Sequence, residues 1–246
     1  MKYRYLLIFV ISFIVTTGSI QAREVKLATT DWAPYFSDTL PEHGFFSAIT
    51  DAAFKAVGHE TNLTFLPWQR TLILAERGEY DGIMAAYYSD ERAEVFHYSN
   101  IVYTDSVVLF AKKGFKPSKY TNLKDLVNFS IAVGTGWVYS PEFDSATYLR
   151  KEYAPNQIVN IRKLFYGRVD LMAASETVFQ YEVSQHRSFE MDDFVKLDPP
   201  LAQNDLFLIF SKQLPDSVTL MNDFNRGLEI IKQNGELEKI LNRFRM

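Results

Sequence analysis

Segments with the pattern of a buried strand alternate along this chain with segments that have the apolar periodicity of a helix. A strand predicted at 24–29 is followed by a helix predicted at 45–57, which Gly58 would end. The same alternation continues to the C-terminus, without a short-period repeat or a low-complexity segment. This order of elements favours an α/β fold, in which sheets are flanked by helices.

Two strongly apolar strands, predicted at 107–111 and 206–210, bracket the middle of the chain. We interpret them as the two crossings of a hinge. A first lobe would contain residues 23–110 together with 206–246, and a second lobe would contain 111–205. Open α/β sheets bind ligands at the carboxyl ends of their strands, so two facing sheets would form a cleft that closes by hinge motion.

Local patterns inside the second lobe predict three further features. Residues 141–152 have the pattern of a helix, and residues 157–161 have that of a strand. A strand at 169–173 precedes Ser175, which would cap the following helix.

The N-terminus has the three-part layout of a secretory signal peptide over residues 1–22. Lys2 and Arg4 precede an apolar core at 6–15, and small and polar residues lead to Ala22 at the predicted cleavage site. That core is shorter than the roughly 20 residues that a membrane-spanning helix requires. Cleavage would export the mature chain, whereas an uncleaved N-terminal anchor is the alternative.

Composition excludes several classes of function. The chain has no Cys and a net charge of −4, so disulfides and cysteine metal sites are absent and no basic patch indicates a nucleic-acid partner. The four histidines lack helical metal-ligand spacing, and no nucleotide-binding or nucleophile-elbow motif occurs. We therefore expect no metal, no cofactor and no enzymatic activity.

The run at 78–100, GEYDGIMAAYYSDERAEVFHYSN, combines an apolar strand, a polar loop, an Arg and an extended end. It resembles the first-lobe signature of bacterial extracellular solute-binding proteins of family 3, the polar-amino-acid type. Similar segments follow in the family's order: LKDLVNFSIAVGTGWVYS, LFYGRVDLMAASE and QNGELEKILNRF. The resemblance covers nearly the whole mature chain. It implies a two-lobed periplasmic-binding-protein fold of type II, located in the periplasm.

Arg92 is the residue that the resemblance assigns to the ligand's carboxylate. A guanidinium is always charged, and its planar fork matches a carboxylate with two parallel hydrogen bonds. The alternative is a solvated helix residue paired with Glu91 or Glu94. Arg70 is either a second cationic contact or a residue that covers the helix surface.

Aromatic residues follow the predicted strand ends. Trp32, in DWAPY, and Trp68, in LPWQR, resemble the family's ligand-flanking aromatic positions, although core packing is the usual role of a Trp. Tyr88 and Trp137 would complete the aromatic enclosure of the ligand.

Departures from the family pattern concern the ligand's amino group. Ala85 and Ala86 occupy places where amino-acid binders commonly have hydroxyl residues, and Val138 stands near the usual Thr of the second lobe. The acidic residue that pairs with an α-amino group would fall at Ser175. The neighbouring Glu176 either takes over that role or favours the helix N-terminus.

The resemblance implies a monomeric binding protein that captures a small carboxylate-bearing ligand, an amino acid or a related compound. Closure of the cleft would then present a surface to a membrane permease of the ATP-binding-cassette type. Two alternatives remain open. The same fold serves as a ligand-sensing partner of membrane receptors, and it also serves enzymes of the cyclohexadienyl dehydratase type.

Overall fold

The computed structural model describes residues 23–244, so the predicted signal peptide at 1–22 lies outside the described residues. Within the described range, no helix is long and apolar enough to cross a membrane. The described residues form a mixed α/β structure around one nine-stranded, curled sheet. The predicted fold class, two lobes of sheet flanked by helices, is confirmed.

The elements alternate as the sequence predicts. The strands, in chain order, are β1 (Glu24–Thr29), β2 (Glu60–Phe65), β3 (Gly82–Tyr87), β4 (Phe96–Tyr98), β5 (Tyr103–Lys112), β6 (Ser130–Gly134), β7 (Arg150–Ala154), β8 (Leu171–Ser175) and β9 (Phe194–Ser211). The α-helices, in chain order, are α1 (Phe45–Lys55), α2 (Trp68–Glu76), α3 (Asp90–Val95), α4 (Pro141–Ser145), α5 (Gln157–Phe165), α6 (Glu176–Ser184), α7 (Ser217–Gln233) and α8 (Glu236–Phe244).

The sheet consists of two similar halves. Its strand order is β2-β1-β3-β9-β5-β8-β6-β7, with β4 paired to β9 at the side. In the first half β1 lies between β2 and β3, and in the second half β6 lies between β7 and β8; all four pairings are parallel. We call these halves, with their helices, the first lobe and the second lobe. Each central strand is a switch point at whose carboxyl end a ligand can bind.

The antiparallel pair β5 and β9 joins the lobes, and β9 is much longer than the strand predicted at 206–210. The pairing shifts register where Val107 faces Ala202 but Leu109 faces Leu197. Pro199 and Pro200 lie in this shifted segment, where they need not donate ladder hydrogen bonds. The two proline residues therefore conceal a continuous strand from a pattern-based prediction. The predicted lobe boundaries stay a prediction.

The predictions for 141–152 and 157–161 are wrong. Helix α4 ends at Ser145, and the residues after it form edge strand β7 beside β6. Residues 157–161 begin helix α5, because the Asn156 side chain accepts a hydrogen bond from Val159 N at 3.1 Å and caps it.

Aromatic side chains fill both lobes. In the first lobe, Phe54 of α1 packs between Phe210 of β9 and Phe224 of α7. In the second lobe, Phe110 of β5 stacks on Phe179 of α6 with ring centroids 3.7 Å apart. A chain without cysteine holds its fold by such burial of apolar surface.

Candidate functional site

A cavity lies where the carboxyl ends of the central strands of both lobes meet. Residues that follow β1, end β3, follow β6 and end β8 contribute to its wall. The cavity leaves about 70 Å³ for the centres of water-sized molecules. Its lining consists of Thr30, Trp32, Phe36, Trp68, Ala85, Ala86, Tyr87, Arg92, Val107, Trp137, Val138, Tyr139, Ser175 and Leu206.

Arg92 reaches this cavity from the first turns of α3. The Ser89 hydroxyl accepts a hydrogen bond from Arg92 N at 3.2 Å and so caps the helix, which fixes where the side chain leaves the backbone. Its guanidinium donates to the carbonyl of Tyr87 at 3.1 Å and to that of Gly136 at 3.2 Å. The Trp68 ring lies 5.1 Å from the guanidinium carbon, a cation–π contact.

Arg92 is buried, and the carboxylates that act on its charge, those of Glu91 and Asp144, lie beyond salt-bridge distance. It is 8% exposed, and no carboxylate of residues 23–244 forms a salt bridge with it. The alternative of a solvated residue paired with Glu91 or Glu94 therefore does not describe its environment. Burial lowers the pKa of Arg92 from its ordinary value, because a guanidinium loses hydration there. Such a group is stabilised by an anion that enters the cavity.

Three predicted tryptophans line the cavity together. Trp32 stacks on Tyr35 with ring centroids 4.7 Å apart, and Trp68 is the first residue of α2. Trp137 lies against the backbone of Gly134, where a Cβ atom would come within 2.1 Å of the ring. The absence of a side chain at Gly134 therefore lets Trp137 form part of the wall.

Three other predicted site residues lie elsewhere. Tyr88 is 53% exposed and its hydroxyl donates to Asp90 at 3.0 Å. Arg70 is exposed on α2. Glu176 accepts a hydrogen bond from Lys196 at 2.7 Å. None of the three belongs to the cavity lining, and their predicted contacts with ligand stay predictions.

A buried carboxylate behind the cavity wall was not predicted. Asp105 of β5 is 2% exposed and accepts hydrogen bonds from Tyr35 at 2.6 Å, from Ser175 at 2.9 Å, and from Tyr87. Burial raises the pKa of the Asp105 carboxyl, and the three hydroxyl donors oppose that shift. The available signal was an acidic residue two positions before the apolar strand predicted at 107–111.

The lobes touch each other across the cleft. The Gly136 carbonyl accepts hydrogen bonds from Arg92 and from Trp68 Nε1, the latter at 3.1 Å. Gln69 donates to the Thr135 carbonyl at 3.1 Å. The described conformation is therefore a closed one. A larger groove of about 610 Å³ adjoins the cavity at Arg92 and Trp137, and Asp144 and Lys151 are among the residues that line it. We call it the outer groove.

The departures from the family pattern all meet in the cavity. Ala85, Ala86, Val138 and Ser175 each form part of its lining. Ala85 has a φ of 62°, the left-handed region that alanine rarely adopts. The wall is consequently aromatic and apolar, with hydroxyl groups, indole N–H groups and a single guanidinium as its polar side-chain groups.

The fold and the cleft define a two-lobed ligand-binding protein of the periplasmic-binding-protein type. The model of bacterial extracellular solute-binding proteins, family 3, matches residues 25–246, and the chain belongs to that family. No curated protein matches the chain significantly.

Several solved structures share the fold at low sequence identity. A histidine kinase sensor domain with similarity to periplasmic binding proteins has 18% identity and a TM-score of 0.79, over 90% of this chain and 95% of that one. The amino acid ABC transporter substrate-binding protein AbpA from Streptococcus pneumoniae, bound to L-arginine, has 20% identity and a TM-score of 0.73, over 90% and 94%. An ancestral amino-acid-binding protein, a precursor of cyclohexadienyl dehydratase, has 18% identity and a TM-score of 0.70, over 90% and 94%.

Proposed function

We propose that this chain is an exported solute-binding protein that captures a small carboxylate-bearing ligand and delivers it to an ABC-type permease. The observation that carries the proposal is the environment of Arg92. Its guanidinium is buried, forms no salt bridge within residues 23–244 and faces an aromatic cavity between the lobes.

Ligand capture follows from this arrangement. The ligand's carboxylate replaces water at the guanidinium and accepts charge-assisted hydrogen bonds. The rings of Trp32, Trp68 and Trp137 then cover the rest of the ligand. Because ligand contacts come from both lobes, binding favours the closed conformation over the open one. The closed pair of lobes is the form that a permease would recognise.

Replacement of Arg92 tests the carboxylate contact. We expect Arg92→Ala to weaken carboxylate binding by tens-fold or more, because losing one partner of a buried charge pair costs about 2–5 kcal/mol. Arg92→Lys should recover only part of the affinity, since an ammonium lacks the planar fork. Isothermal calorimetry measures both, after a thermal-shift screen of amino acids and small carboxylates has identified ligands.

Arg77→Ala is the matched control, because Arg77 is exposed at the C-terminal end of the neighbouring helix α2 and lies outside the cavity lining. It should leave the dissociation constant unchanged. An unchanged constant in Arg92→Ala would contradict the assigned role. Failure of every carboxylate to raise the melting temperature would contradict the proposed function as a whole.

A second candidate is a ligand-sensing partner of a membrane receptor, which the likeness to a histidine kinase sensor domain favours. Both candidates use the same cleft and differ in the partner that binds the closed form. Co-purification of the ligand-bound protein with a permease or with a receptor ectodomain separates them. The enzymatic alternative predicts turnover of prephenate or arogenate, and we expect no product from either compound.

A further inference from the structure

The cavity offers a charged partner to an anion but none to a cation. Among its lining residues, Arg92 is the single charged side chain, and the other polar side-chain groups are the indole N–H groups of the tryptophans and the hydroxyls of Thr30, Tyr87, Tyr139 and Ser175. The position where the family resemblance places an acidic residue is Ser175. No carboxylate of the described residues therefore lines the space in which the ligand would lie.

Asp105, which two lining residues contact, already has its hydrogen-bond partners. Its oxygens accept hydrogen bonds from Tyr35, Tyr87 and Ser175. Tyr87 and Ser175 are themselves lining residues, so their side chains stand between Asp105 and the cavity. At 2% exposure, Asp105 cannot reach a bound ligand without displacing these donors.

The outer groove has carboxylates in its lining, whereas the cavity has none, although Arg92 and Trp137 line both spaces. Asp144 accepts a hydrogen bond from Tyr139 N at 2.9 Å, and it lines the outer groove and not the cavity. Lys151 lines the same groove and donates to the Asp144 carbonyl at 2.9 Å. The positive charges of Lys151 and Arg92 both act on the Asp144 carboxylate and partly offset its negative charge.

We propose that the cleft selects carboxylates without a cationic amino group, compounds with one carboxylate and an apolar or aromatic body. This inference rests on the proposed function, because it uses Arg92 as the partner of the carboxylate. A buried ammonium requires a paired negative charge to compensate for its lost hydration. In this cavity an ammonium would find tryptophan faces, whose cation–π attraction replaces only part of the lost hydration, together with methyl groups and a neighbouring guanidinium that repels it.

Matched pairs of ligands test the proposal. Calorimetry compares L-phenylalanine with 3-phenylpropionate, and L-leucine with 4-methylpentanoate, on the mature protein. The members of each pair share a carboxylate and a body and differ in the amino group. We expect the amine-free member of each pair to bind at least tenfold more tightly.

Three variants examine the carboxylates that could serve an amino group. In Asp105→Asn, Asp144→Asn and Glu176→Gln, we expect the affinity ratio within each pair to keep its direction. Tighter binding of an amino acid by the wild type, lost selectively in any of these variants, would identify an amine partner and overturn the proposal. The wild-type comparison decides the question even if Asp105→Asn does not fold.

The two levels of the hypothesis fail in different ways. Tighter binding of the amino acids, with a loss of affinity in Arg92→Ala, would overturn the amine-free class and retain the proposed function. Absence of binding by all four compounds would overturn the amine-free class, and the thermal-shift screen of other carboxylates would then decide the proposed function. Tighter binding of the amine-free members that is lost in Arg92→Ala would support both.

Discussion

Arg92 illustrates how a single side chain acquires a role from its surroundings. Two backbone carbonyls, of Tyr87 and Gly136, accept its hydrogen bonds, so the guanidinium is oriented without being neutralised. A carboxylate of the protein in that place would hold the charge permanently and compete with the ligand. Orientation by neutral acceptors leaves the electrostatic attraction for a ligand.

Ala85 has a backbone conformation that residues other than glycine rarely adopt. Its φ of 62° costs an L-residue about 1–2 kcal/mol. Ala85→Gly should therefore raise the free energy of unfolding by up to about 1 kcal/mol, as glycine adopts this region without strain. Urea denaturation measures the change.

Ala86→Gly is the control for Ala85, because Ala86 is buried in the same strand and does not have a positive φ. There the greater flexibility of glycine should lower stability by about 0.5–1 kcal/mol. Equal losses of stability in the two variants would contradict the idea that Ala85 is strained.

Single residues of the site were predictable to different degrees. Arg92 and the tryptophans were predicted as site residues because they lie near strand ends, in motifs that resemble those of a family. Tyr88 was predicted from its place in the same loop, but the structure directs it to Asp90 at the surface. Asp105 gave no motif, since its role depends on donors from distant segments of the chain.

At the scale of elements, the contact between α1 and α7 fixes the C-terminal region on the first lobe. Gly227 of α7 lies so close to α1 that a Cβ atom would stand 1.9 Å from the Ala53 carbonyl oxygen. The neighbouring aromatic core of Phe54 and Phe224 is buried by the same approach of the helices. A residue that is usually unfavourable within a helix is required here by packing.

Gly227→Ala should destabilise the protein by about 1–3 kcal/mol, because the added methyl group meets backbone that cannot rotate away. Thermal and urea denaturation measure the loss. Asn222→Ala, at an exposed position of the same helix, should be neutral or slightly stabilising. A neutral result for Gly227→Ala would mean that the helices can separate at little cost.

Element patterns predicted the alternation of strands and helices better than the boundaries. The edge strand β7 was missed because its pairing with β6 is a tertiary contact. The strand predicted at the position of β9 is too short, because the proline residues of β9 interrupt the strand pattern in the sequence. In the structure, pairing with the neighbouring strand β5 maintains the strand.

At the scale of the whole molecule, Asp105 links both lobes. Its partners Tyr35 and Tyr87 come from the first lobe, Ser175 comes from the second, and Asp105 itself lies on the joining strand β5. These contacts hold the closed arrangement together behind the ligand cavity.

This cluster predicts a specific dependence of stability on pH. Burial raises the pKa of Asp105 above its ordinary value of 3.8, so the folded protein takes up this proton before the unfolded chain does. Protonation of Asp105 therefore stabilises the folded protein. This contribution is fully present below the pKa of Asp105 in the unfolded chain, and it is lost as the pH rises through the pKa of Asp105 in the folded protein. Relative to Asp105→Asn, the wild type should therefore gain stability as the pH falls from 7 towards about 4.

Urea denaturation of both proteins across this range measures the difference in the free energy of unfolding. The comparison with the variant removes the contributions of other carboxyl groups, which titrate in both proteins. A difference that stays constant, or that falls as the pH is lowered, would contradict the raised pKa of Asp105.

The sequence by itself determined the α/β class and the family resemblance, and it supplied Arg92 as the candidate for a carboxylate contact. These depend on local periodicity and on residue types at short spacing, which a linear chain records. Only the tertiary structure decided that Arg92 is buried without a salt bridge, and that Asp105 is enclosed by three hydroxyl donors. Burial and pairing of charges depend on residues far apart in the chain, whose proximity exists only after folding.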